Sequence, residues 1–183
     1  MWIFAYGSLV FRPAFAHVER RRAWVRGWAR RFWQGSPDHR GVPAAPGRVV
    51  TLVRDARATC GGVAYRIDPD RAPEVLVALD VREVAGFERV HVPVHHAPDA
   101  PDDEAFAEAL VYVAGPENPH FLGPLDEHAI ASWIAKSHGP SGPNADYALS
   151  LHGALTELGI EDDHVARIAA LLRSRSLRPI ERG

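Results

Sequence analysis

Apolar residues in the first half of the chain cluster in short dense runs, whereas in the last third they recur at helical spacing. Met1 to Tyr6 is apolar without alternation and ends at Gly7, which predicts a buried strand. Trp24 to Trp33 predicts a second strand. Arg48 to Val53 and Gly62 to Ile67, dense in β-branched residues, predict two more. The polar segment from Asp55 to Gly61 between them suits a hairpin-like return. The period changes from Asp70 to Arg82, where Pro73 fits a first helical turn and Val75, Leu76 and Leu79 share a face. Gly86 offers a helix stop. Strand signals resume at Phe87–His95 and Ala109–Ala114, around a proline-marked loop from Ala97 to Glu104. Three helices follow, at Leu125–His138, Asn144–Gly159 and Asp162–Arg175, broken by Gly139–Pro143 and by Gly159–Glu161. Strands first and helices late describe an α+β domain, a curled sheet covered by helices, spanning residues 1–183 as one unit.

Length and composition narrow the function. A chain of 183 residues builds one full core. A net charge of -2 sets aside an extended polyanion site, so no nucleic-acid partner is expected. Cys60 is the single cysteine, so no intrachain disulfide forms and a reducing compartment fits. The N-terminal run lacks a basic lead and is interrupted at Gly7-Ser8, so it is read as a strand and not a signal peptide. No apolar run approaches the roughly 20 residues that cross a bilayer. The expectation is a cytoplasmic protein with no membrane partner.

Three segments carry possible chemistry. Tyr6-Gly7-Ser8-Leu9 turns sharply out of a strand and can expose consecutive N–H groups to a carboxylate or an oxyanion; read alone, such a strand end is more often only a turn. Glu83 lies among Val81, Val84, Ala85 and Phe87, where desolvation would make a carboxylate a better base. The bland alternative is a helix-end glutamate paired with Arg82 or Arg89. Glu74 is about two and a half turns away on a continuous helix and would face the other side. The block from Arg30 to Pro43 mixes arginines, aromatics and turn glycines, which fits a small acidic ligand or arginines bonded to the loop's own carbonyls. Asp38-His39 has no nucleophile elbow beside it. His91, His95 and His96 lack a Glu or Cys at ligand spacing, so no metal site is expected.

Seven blocks in order resemble the ChaC family, the glutathione-specific branch of the γ-glutamyl cyclotransferases. They are Trp2–Leu9, Arg30–Pro43, Pro46–Leu52, Gly62–Arg66, Leu79–Glu83, Asn118–Pro124 and Gly139–Tyr147. The resemblance implies a small mixed β-barrel flanked by helices, a pocket at its mouth, and no metal or cofactor. It places the family's Tyr-Gly-Ser-Leu loop on Tyr6, Gly7, Ser8 and Leu9, and the catalytic glutamate on Glu83. Gln34, Ser36, Arg48 and Tyr147 are further candidates for polar contact with substrate. The family's Lys-Gly-Gly-Tyr after that glutamate is here Val84-Ala85-Gly86-Phe87. The implied reaction has glutathione as its small-molecule substrate: the γ-glutamyl amine attacks the γ-carbonyl and releases 5-oxoproline and Cys-Gly. Rival readings are another γ-glutamyl peptide or amine as substrate, or a non-catalytic γ-glutamyl-binding module. Nothing in the sequence specifies an oligomeric state.

Overall fold

The computed structural model describes residues 1–82 and 86–176. Strand β1 (Trp2–Ala5) lies inside the sheet, with Ile3, Phe4 and Ala5 all buried, as an unalternating apolar run requires. It pairs antiparallel with one end of β3 (Gly47–Arg66) and parallel with β5 (Ala107–Val113). With β2 (Glu19–Ser36) and β4 (Glu88–Val94) at the edges, the order is β2-β3-β1-β5-β4. The two edges touch at Trp24 and His95, whose backbones exchange hydrogen bonds of 3.0 and 2.9 Å. Among the described residues this is one bridge and not a ladder. The α+β class expected from the sequence is observed; the sheet itself is mixed and curled but not closed into a barrel.

The expected return between Asp55 and Gly61 does not occur. Residues 47–66 form one strand, because β2 runs opposite both halves of it: Trp28 pairs with Arg54 and Arg26 with Thr59. Between those pairs β2 has only Gly27, at φ 75°, while β3 has four residues, so the excess is taken up as a wide bulge. Asp55 accepts the Arg57 N–H at 3.1 Å within it. Polar turn-type residues thus mark a bulge here, and only the partner strand distinguishes that from a hairpin.

Helix α1 (Ala72–Arg82) crosses between β3 and β4. The later helices are α2 (Glu127–Lys136), α3 (Asn144–Glu157) and α4 (Asp163–Ser176). Each of the last three buries an i,i+4 apolar pair: Ile130 with Ile134, Leu151 with Leu155, Ile168 with Leu172. Asp126 caps α2 by accepting the Ala129 N–H at 2.9 Å. Between α2 and α3 the expected turn is a two-residue ladder, β6 (His138–Gly139) with β7 (Gly142–Pro143). Gly139 is pressed on the loop after β2, where a Cβ would collide with the His39 carbonyl.

The Arg30 side chain is completely buried in β2. Its guanidinium donates to Tyr6 O at 2.8 Å, to Gly61 O, and to Asp162 Oδ2 at 2.8 Å. Asp162 also caps α4 through the Val165 N–H at 3.0 Å. One carboxylate therefore offsets a buried cation and starts a helix. Removing one partner of such a pair leaves an uncompensated charge, at a cost of about 3–5 kcal/mol. Asp162→Ala is expected to lose about that much stability, read as a lower urea midpoint at unchanged denaturant slope. A loss below about 1 kcal/mol would mean that carbonyls alone hold Arg30.

Candidate active site

Where β1 ends, Tyr6 is held at both of its polar groups. Its phenol donates to Tyr112 O at 2.7 Å, and its carbonyl receives Arg30. The chain then turns at Gly7 (φ -116°, ψ -133°) into a short 3-10 turn, Ser8–Val10. Such a turn leaves the N–H groups at its start without partners inside the turn. A Cβ on Gly7 would lie 3.2 Å from Tyr147 Oη and 3.3 Å from Val50 Cγ2, so glycine lets both approach the loop.

Tyr147 reaches that position because the first turn of α3 is pinned to β3. Asn144 is fully buried, and its side-chain amide pairs with Arg48 as a strand would: Oδ1 accepts the Arg48 N–H at 2.6 Å and Nδ2 donates to Arg48 O at 2.9 Å. Three residues on, Tyr147 falls on the same helical face, and its hydroxyl accepts the Val50 N–H at 3.4 Å. Burial of one amide thus aims one phenol.

These elements enclose a cavity of about 310 Å³, within the range of small-molecule sites. Tyr6, Gly7, Ser8, Leu9, Ser36 and Tyr147 line it, as do Arg82 and Phe87. Arg82 donates to Ser8 Oγ at 2.7 Å, joining the end of α1 to the loop after β1. Glu83 lies outside the described residues. Gly86, just beyond, has φ 80°, and a Cβ there would meet Asn118 Nδ2 at 2.9 Å, so this position of the altered run still calls for glycine. Arg89, one of the partners considered for Glu83, is engaged by Asp80.

Two candidates are not in the cavity wall. Gln34 is fully buried and donates to Asn118 Oδ1 at 3.0 Å. Arg48 is buried too, donating to Phe32 O at 2.9 Å and Gly123 O at 3.0 Å with Trp133 stacked 4.7 Å away. Both lie in β2 or β3 on faces covered by residues 118–123 and α2, a cover that neither strand's own pattern reveals. Sequence reading also missed wall residues, among them Phe11, Arg12 and Tyr112. No local motif marks them. Of the histidines weighed as a metal group, His91 is exposed and His95 fully buried, and among the described residues no three His, Cys, Asp or Glu side chains gather as ligands.

Tyr112, in the same wall, is strongly perturbed. Burial, then its hydrogen bond to Asp80 (2.8 Å), push its phenol up to about 12. Asp80 is correspondingly held below the usual carboxylate value, first by Tyr112 and then by Arg89.

A mixed sheet with late helices and a cavity at the end of its central strand is the architecture of the γ-glutamyl cyclotransferase fold. A solved structure described as gamma-glutamyl cyclotransferase is similar at a TM-score of 0.56 and 13% identity, over 92% of this chain and 86% of its own, which shows the fold alone. A yeast structure described as a γ-glutamyl cyclotransferase specific to glutathione is similar at a TM-score of 0.87 and 31% identity, over 95% of this chain and 96% of that one. The human glutathione-specific gamma-glutamylcyclotransferase 1 is 44% identical over 172 residues, covering 92% of this chain and 76% of the relative. Gamma-glutamylcyclotransferase 2-3 of Arabidopsis thaliana is 40% identical over 177 residues, 94% of this chain and 88% of that protein. The family model for ChaC-like protein matches residues 1–175. The chain belongs to the ChaC-like family.

The raised phenol gives a pH test. Because its folded pKa lies above the ordinary 10.0, Tyr112 contributes stability that is full below about pH 10 and is lost as pH rises through about 12. In a spectrophotometric titration of tyrosine ionisation, Tyr112→Phe should remove a component that appears only near pH 12. Loss of a component near pH 10 instead would show that burial and the Asp80 contact do not hold the proton.

Proposed function

We propose that this chain is a γ-glutamyl cyclotransferase that acts on glutathione, with Glu83 as the proton-transfer group. The observation that carries the site assignment is the meeting of Arg82 with Ser8 across one cavity, which brings the residue preceding Glu83 onto the Tyr6–Leu9 loop. Membership in the ChaC-like family and the names of its relatives support glutathione as substrate.

The substrate supplies its own nucleophile, so the protein has three tasks. It folds the γ-glutamyl chain until the α-amine meets the γ-carbonyl, a gain of about 7–11 kcal/mol when the geometry is near-attack. Glu83 accepts a proton from the α-ammonium, which is charged near neutral pH. The amine then forms the new C–N bond of a five-membered lactam, and the carbonyl becomes an oxyanion. Collapse breaks the C–N bond to cysteine; the departing nitrogen takes the proton from Glu83, and the second proton shed by the ring nitrogen follows it, leaving neutral 5-oxoproline and Cys-Gly with a charged amino terminus. The N–H groups of Gly7, Ser8 and Leu9, with Tyr147 and Ser36 beside them, hold negative charge at the γ-glutamyl end. Gln34 and Arg48, buried away from the cavity, serve the scaffold in this reading. Residues 1–183 act as one domain, a near-barrel whose edges meet at Trp24 and His95, working in the cytoplasm.

Glu83→Gln should fold normally, with an unchanged melting temperature, and lose about 10²–10⁴-fold in 5-oxoproline release from glutathione. Near wild-type turnover in that variant would remove Glu83 from the mechanism. Turnover of γ-Glu-Ala equal to that of glutathione would widen the substrate class.

A further inference from the structure

The cavity has more positive charge than the γ-glutamyl end uses. Besides Arg82, both Arg12 and Arg40 line it. Arg12 follows the 3-10 turn, its backbone N–H bonded to Ser8 O at 2.8 Å, and its side chain is exposed. Arg40 comes from the loop after β2, donates to Pro143 O at 3.1 Å, and lies 5.8 Å from the centre of the Tyr147 ring. No ion pair among the described residues takes up either guanidinium. The two are close enough to interact. Arg40 is held below its usual pKa, first by burial and also by the charge of Arg12, although Tyr147 and Asp146 act the other way. Asp38 stands on the same wall, with its carboxylate 3.8 Å from His39 Nε2. Two guanidiniums lining one cavity, neither in an ion pair, offer charge-assisted donors to an anion that enters it.

We infer that Arg12 and Arg40 form a carboxylate subsite that receives the C-terminal carboxylate of the γ-glutamyl peptide. This rests on the reading above, in which the peptide carries two carboxylates. The one beside the reacting amine belongs at the Gly7–Leu9 loop, which Arg82 contacts. A γ-glutamyl tripeptide, two chain carbons longer than an α-linked one, spans at most about 13 Å, so the second carboxylate falls within the same cavity or at its rim. A γ-glutamyl amine has no such group. The pair therefore selects peptides that end in a free carboxylate.

The test uses glutaryl-Cys-Gly, which lacks the α-amine and does not cyclise, and its C-terminal amide, with binding measured by calorimetry. Wild type should bind the acid about tenfold or more tightly than the amide, since a charge-assisted contact is lost. Arg12→Gln and Arg40→Gln should each weaken the acid about tenfold and leave the amide unchanged, and Arg40→Lys should recover part of the loss. Equal binding of acid and amide by wild type, no binding of either, or variants that weaken both forms alike would overturn the subsite. Turnover of glutathione and of its glycinamide, measured in parallel, separates the two ideas. A binding contrast without release of 5-oxoproline leaves the subsite standing and removes the proposed reaction. Release from both at equal kcat/KM removes the subsite alone.

Discussion

A cation buried inside a sheet needs acceptors, and Arg30 receives them from three parts of the chain distant in sequence. Tyr6 at the end of β1, Gly61 in β3 and Asp162 before α4 converge on its guanidinium. A guanidinium is suited to this because its donors are fixed in a plane and it stays charged. The consequence reaches the cavity directly. With its carbonyl held by Arg30 and its phenol by Tyr112, Tyr6 leaves the Gly7–Leu9 backbone a fixed point of departure. The last helix, through Asp162, is tied by the same contact to the first loop.

A second constraint acts from the other side. Asn144 inserts its amide into the backbone of Arg48, and so sets both the start of α3 and the direction of Tyr147. Its burial makes the geometry strict, since leaving the Arg48 amide unpaired there would cost the desolvation of two backbone groups. Gly139 presses the turn before α3 on the loop carrying His39 and Arg40. The wall of the cavity is thus built on rigid sheet and helix ends, and its charged side chains come from the loops between them. Preorganised backbone with adjustable charge is what a reaction dependent on substrate folding requires.

The elements were largely legible along the chain. Unbroken apolar runs gave β1 and β5, and i,i+4 pairs gave the three late helices, because both patterns depend on near neighbours. Residues 55–61 were misread because Asp, Arg and Gly serve a hairpin and a wide bulge equally well. Of the residues the motifs and their order single out, Tyr6–Leu9, Ser36 and Tyr147 line the cavity, whereas Gln34 and Arg48 face covered sides of their strands.

By itself the sequence determined the α+β class, the order of the elements and, through its ordered blocks, the family; all of these rest on local periodicity or on residue identity at fixed spacing. The tertiary structure alone decided that Arg30 is a buried tie and that Arg12 and Arg40 line one cavity. It alone decided that Tyr112 donates to Asp80 and that β3 continues through its polar middle. Each of these depends on contacts between residues tens of positions apart, where the neighbour that sets burial and charge is chosen by packing and leaves no mark on the local pattern.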